Sequence, residues 1–173
     1  MALEIRTAAE LSDPELEARW TTRRAARETD VLQRVLQAFV ERPGPVEVEQ
    51  IVVAFADGSP DDIRADLARL DADDLIQIRD GLVEVAYPFS AFPTPFVVVQ
   101  LADGQERCAC CAIDALGIAP MLGQRVRIRS RCHHCGEPLE LWVDPAGAGL
   151  EGEEVMVWVG KQGEGERRAS ISL

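Results

Sequence analysis

The chain has 173 residues, 47% of them apolar and 28% charged, a composition that builds one ordinary globular domain or two small ones sharing a core. Lys and Arg number 18 against 30 Asp and Glu, a net charge of -12 at pH 7, and that surplus works against phosphate backbones and anionic lipid. Met1 to Arg6 lead into no apolar signal core, and no run approaches the ~18 apolar residues of a membrane helix, so the expectation is a cytoplasmic protein with neither nucleic acid nor membrane as partner.

Residues 1–28 predict an N-terminal helical extension, with Asp13 to Arg27 polar, helix-prone and carrying Trp20. From Thr29 onward Val31, Leu32, Val35, Leu36, Phe39 and Val40 recur at helical spacing until Pro43-Gly44-Pro45 stops the helix. A second apolar segment covers Val48 to Phe55. Ser59-Pro60, with Asp62 three residues past the serine, opens a third helix carrying Ile63, Leu67 and Leu70. Ile76 and Ile78 alternate with polar residues, Asp80-Gly81 is a tight-turn signal, and Leu82, Val83 and Val85 return as a second strand. Three helices and a hairpin predict a winged-helix-like domain over 29–87. DNA binding, the obvious use of such a unit, is opposed by its own third helix. Residues 61–74 hold six Asp and only Arg64 and Arg69, where base readout needs a basic positioning surface. A structural or dimerising role is the better reading, and a homodimer stays open.

Pro88, Pro93 and Pro95 predict a linker or domain edge near 86–95. Beyond it, Phe96 to Leu101 reads as a buried strand, Asp103-Gly104 as a turn, and Glu106 to Cys110 as an antiparallel partner. That strand leads into a short helix over Cys111 to Leu116. Val126 to Ser130, Leu139 to Val143 and Val155 to Val159 read as further strands. The expected fold class is α+β: the winged-helix-like front, then a small mixed β-sheet module with one short helix over 88–160, and a flexible tail over 161–173.

All five cysteines fall between positions 108 and 135. An odd number, so crowded, points to metal or thiol chemistry in a reducing compartment, not to a disulfide framework. Cys111 and Asp114 stand three apart, so a helix there puts thiol and carboxyl on one face, able to bind a soft ion and move a proton. A helix N-terminus at Cys111 would favour the thiolate. The plainer reading is a buried structural cysteine with Asp114 as a cap. Arg131-Cys132-His133-His134-Cys135-Gly136 has the Cys-x-x-Cys-Gly form of a knuckle that turns two sulfurs toward one ion. Remaining ligands would come from Cys108, Cys110, Cys111, His133 or His134. The alternatives are a reduced dithiol without metal or, less well placed between two strands, a redox couple.

Tyr87-Pro88-Phe89-Ser90, Cys111-Ala-Ile-Asp114-Ala-Leu and Met121-Leu-Gly123 resemble the alkylmercury lyase (organomercurial lyase) family. The resemblance runs over roughly 30–160 and includes a Ser-x-Cys strand end at Ser130 and Cys132 and a turn at Gly136-Glu-Pro138. It implies protonolysis of a carbon–mercury bond. Cys111 would be the capturing thiolate and Asp114 the proton relay, with no cofactor required. Cys132 matches a cysteine that looks structural in that family, while Cys135 and the two histidines are extra. The family's second catalytic cysteine follows the last matched strand, and here no cysteine follows Cys135; ungapped extension reaches Ser170-Ile-Ser172-Leu173. Two functions follow. The chain cleaves organomercurials through Cys111 and Asp114, with Cys110, Cys132 or Cys135 as second thiolate, or it binds zinc, copper or mercury without catalysis through Cys111 and the run 132–135. A metal-responsive regulator is a weaker third.

Overall fold

The computed structural model describes Ala18 and residues 28–100, 104–146 and 155–157. Helix α1 (Glu28–Glu41) follows from its apolar periodicity, which buries Val31, Val35, Ala38 and Phe39 along one face. The chain leaves it through Arg42, whose N–H donates to the Ala38 carbonyl at 3.2 Å. The second apolar segment, Val48 to Phe55, forms a short helix, α2 (Val48–Val53), preceded by a two-residue strand, β1 (Val46–Glu47). Helix α3 (Pro60–Ala72) begins as its residues require. The Ser59 hydroxyl caps it by accepting the Asp62 N–H at 3.5 Å, and Pro60 sits in the first turn, where a missing N–H costs nothing. Ile63, Leu67 and Leu70 point into the core. Both α3 arginines are engaged by acids: Arg64 holds Glu49 at 3.0 and 2.9 Å and Asp61 at 3.1 Å, and Arg69 pairs with Asp66.

Strands β2 (Ile76–Arg79) and β3 (Leu82–Ala86) form the expected hairpin. Its turn residues Asp80 and Gly81 have φ of 51° and 77°, the paired positive values of the turn that matches strand twist. Residues 86–95, where the prolines predict a linker, also hold a strand, β4 (Phe89–Ser90). It pairs with β3 through Val85↔Ser90 and Ala86↔Phe89, and with β6 (Glu106–Ala109) through Phe89↔Ala109 and Ser90↔Cys108. Beyond β6 come β5 (Val97–Gln100), β7 (Val126–Arg131) and β8 (Pro138–Val143). The result is an eight-stranded sheet of order β1-β3-β4-β6-β5-β7-β8 with β2 added on β3. Every described pairing is antiparallel, so the architecture is α+β with helices packed on an antiparallel sheet.

The helix expected over Cys111 to Leu116 runs further, as α4 (Ala112–Leu122), until Gly123 adopts the left-handed conformation at φ 62° and ends it. Arg107 ties the front helix to the sheet. It is only 6% exposed, its Nε donates to the Phe39 carbonyl at 2.7 Å and its guanidinium also reaches the Val40 carbonyl, which satisfies the open end of α1. Phe39 stacks on Phe89 beside it, ring centroids 6.4 Å apart. Val155–Val157 form no strand, which corrects the expectation over its described part. Residues 158–159, the tail 161–173 and, apart from Ala18 and Glu28, the N-terminal extension lie outside the described residues. Among the described residues no helix is long and apolar enough to cross a membrane.

Candidate active site at the head of helix α4

The chain approaches Cys111 as an extension of β6. The Ala109 N–H donates to the Phe96 carbonyl at 2.9 Å and the Cys110 N–H to the Pro88 carbonyl at 3.0 Å. Cys111 is still extended, with φ -147° and ψ -179°, and the helix begins at the next residue. The Cys111 sulfur is therefore the N-cap. It accepts the Asp114 N–H at 3.4 Å, while the Asp114 carboxylate accepts in return from the Cys111 backbone N–H and thiol. This is a capping box in which a thiol and an aspartate replace the usual hydroxyl and glutamate. The capping role and the thiol–carboxyl pairing are one geometry, because the bonds that start the helix also hold sulfur against carboxyl.

Burial decides the protonation of the pair. Removal from water pushes the Cys111 thiol up to about 11, and the Asp114 carboxylate that accepts its proton adds to the rise. The N–H groups of Asp114 and Ile113 pull the other way and lose. The lowering expected from a helix N-terminus is thus reversed. Asp114 is itself raised above the ordinary carboxyl value, again by burial first, against the bonds it accepts from Cys111. The sulfur, the far weaker acid, holds the proton, and the carboxylate beside it is poised to take it.

Of the other cysteines, Cys110 is 1% exposed and burial drives its thiol far above the ordinary range, so it stays neutral. Cys108 lines a small cleft with Phe39, Arg42 and Phe89, a cleft that neither Cys111 nor Asp114 lines. The Cys132–Glu137 turn joins β7 to β8. It is closed by the Cys132 N–H donating to the Glu137 carbonyl and the Gly136 N–H to the Cys132 carbonyl, both at 2.8 Å, with Gly136 at φ 73°. The N–H groups of Cys135 and His134, then the Cys135 thiol, hold the Cys132 thiol below its ordinary value. His133, His134 and Cys135 are exposed. Among the described residues no three Cys, His, Asp or Glu side chains gather as a metal centre would require. Cys110, Cys111, Cys132, His133, His134 and Cys135 therefore do not share one site, and the chemistry divides into the Cys111–Asp114 pair and the turn 132–135.

Sequence reasoning passed over Thr94, whose hydroxyl donates to the Ala109 carbonyl at 2.6 Å and accepts the Phe96 N–H at 3.1 Å. It fixes the peptide just ahead of the site. The available signal was a polar, β-branched residue held between Pro93 and Pro95.

Comparison with known proteins places similarity over this same region. The family model described as alkylmercury lyase matches residues 89–172, which include β4, the Cys111–Asp114 pair and the turn 132–135. An alkylmercury lyase of Streptomyces lividans is 33% identical over 114 residues, 66% of this chain and 50% of that protein. One of Staphylococcus epidermidis is 34% identical over 117 residues, again 66% and 50%, and one of Bacillus cereus is 40% identical over 63 residues, 35% and 27%. The chain spans about half the length of the first two. A solved structure, the mercury-bound form of MerB2, matches with a TM-score of 0.50 at 19% identity over 70% of this chain and 66% of that chain, a likeness of fold.

Proposed function

The chain belongs to the alkylmercury lyase family, and from that premise we propose that Cys111 and Asp114 cleave a carbon–mercury bond by protonolysis. The observation that supports this most is the Cys111 sulfur held against Asp114 by the bond that caps the helix. An organomercurial cation meets the Cys111 sulfur, an S–Hg bond forms, and the thiol proton moves to the Asp114 carboxylate. Burial has already raised that carboxyl, so it retains the proton until carbon needs it. The C–Hg bond then breaks, its electron pair takes the proton from Asp114, and the hydrocarbon leaves. Mercury(II) remains on Cys111 and Asp114 is ionised again. No oxidation state changes, no cofactor is called for, and two solution thiols then take the mercury(II), one of their protons returning to Cys111 and the other going to solvent. Ile113, 53% exposed at the head of the same helix, offers apolar surface to the organic group.

A second thiolate that raises the mercury coordination would labilise the C–Hg bond. Cys110 is poorly suited because burial keeps it neutral, which leaves Cys132, Cys135 or a thiol from solution. The test is hydrocarbon release. Purified protein given phenylmercuric acetate and excess thiol yields benzene, and Cys111→Ser or Asp114→Asn abolishes it. Stoichiometric capture of the mercurial with no benzene formed would leave binding without catalysis, the competing reading.

A further inference from the structure

The turn 132–135 plays no required part in that chemistry, yet it is built as a chelate. Its two backbone bonds and the left-handed Gly136 close a tight turn that carries both Cys132 and Cys135. The strands on either side are registered up to Arg131↔Pro138, so the turn is held rigidly at its base. No third ligand joins the sulfurs among the described residues. Zinc favours four ligands in a tetrahedral set. A bare pair of sulfurs suits instead a soft ion that is satisfied by two, as mercury(II) is.

Its position favours the same ion. Val97 on β5 lies opposite Cys108 on β6 and opposite Arg129 on β7. Cys111 is three residues past Cys108 and Cys132 three past Arg129, so both leave the sheet at the same end, on strands separated by β5 alone. Two strand spacings amount to ~10 Å.

We propose that Cys132 and Cys135 form a second, two-sulfur site for mercury(II), separate from Cys111. Binding forms two S–Hg bonds, sends two thiol protons to solvent and frees the two ligands the ion arrived with; nothing is oxidised or reduced. Mercury as the occupant rests on the protonolysis reading, whereas the site itself does not.

The experiment is titration of the reduced 173-residue chain with mercuric chloride against an excess of monothiol, with bound ion read by mass spectrometry and by S–Hg charge-transfer absorption. Cys111→Ser, which removes the mercury ligand of the protonolysis reading, still takes up one ion per chain. Cys132→Ser and Cys135→Ser each weaken its binding by about 100-fold, the low end of what a second linked contact adds, with far-UV circular dichroism unchanged because the turn is exposed. Parental affinity in Cys135→Ser, or loss of the ion in Cys111→Ser, overturns the proposal. Absence of hydrocarbon release would sink the lyase reading and leave this titration as it stands.

Discussion

Around the Cys111 sulfur, N–H groups that favour the thiolate compete with burial and a carboxylate that favour the thiol, and the thiol wins with its pKa pushed up to about 11. Only about one sulfur in 10⁴ is then ionised at pH 7. For Cys132 the balance runs the other way, since N–H donors lower it from 9.0 with little burial to oppose them. The two thiols are expected to separate in an alkylation experiment with peptide mapping. Labelling of Cys132 by iodoacetamide has its midpoint below pH 9, while labelling of Cys111 climbs about tenfold per pH unit until near pH 11. In Asp114→Asn the Cys111 midpoint falls, because one of the groups that raises it is gone, yet stays above the ordinary thiol value because burial remains. A Cys111 plateau at or below that of Cys132 would contradict the account. The sequence made the Cys111–Asp114 spacing legible and the sign of this shift illegible. Spacing is local, whereas burial of a side chain depends on strands that arrive from elsewhere in the chain.

Helix α4 shows how an element's own start signal becomes a site. Its capping bonds come from Cys111 and Asp114, so the contacts that start the helix also bring sulfur to carboxyl. Its end was harder to read than its start, since Pro120 argues against continuation, yet falls in the last turn before Gly123. Helix α1 ends on a partner that sequence could not supply. Arg107 is 68 residues from Phe39, and on an alternating strand it reads as an outward-facing charge. Replacement by Ala would strand the Phe39 and Val40 carbonyls and lose a buried charged donor, a cost of about 2–4 kcal/mol. Urea unfolding measures it, and Arg107→Lys recovers only part because it lacks the fork that reaches both carbonyls. A loss under about 0.5 kcal/mol would mean that water replaces the guanidinium there. Strand β4 escaped detection for a different reason: two residues among prolines are too short to show a period, and the strand exists because β3 and β6 flank it.

Taken whole, the molecule is organised by one antiparallel sheet that runs from the front helices to the turn 132–135. The order of helices and the hairpin were legible from apolar periodicity, the Ser59-Pro60 cap and Asp80-Gly81, because each is a local signal. Continuity of the sheet was not, because it depends on β4 and Arg107. With Phe39, Phe89, Ala109 and Ile118 in a single buried cluster, the two halves are expected to unfold together. The midpoint in urea by far-UV circular dichroism should coincide with the urea concentration at which buried Cys110 becomes alkylatable, and two separated transitions would contradict one core. The central claim, that Cys111 and Asp114 share a proton destined for carbon, is tested most directly by single-turnover protonolysis in deuterated water. With phenylmercuric acetate and excess thiol, the parent chain is predicted to release monodeuterated benzene, and Asp114→Asn to bind the mercurial through Cys111 without releasing any. Benzene formed by Asp114→Asn at the parental rate, or mercurial bound by the parent chain with no benzene at all, would contradict it.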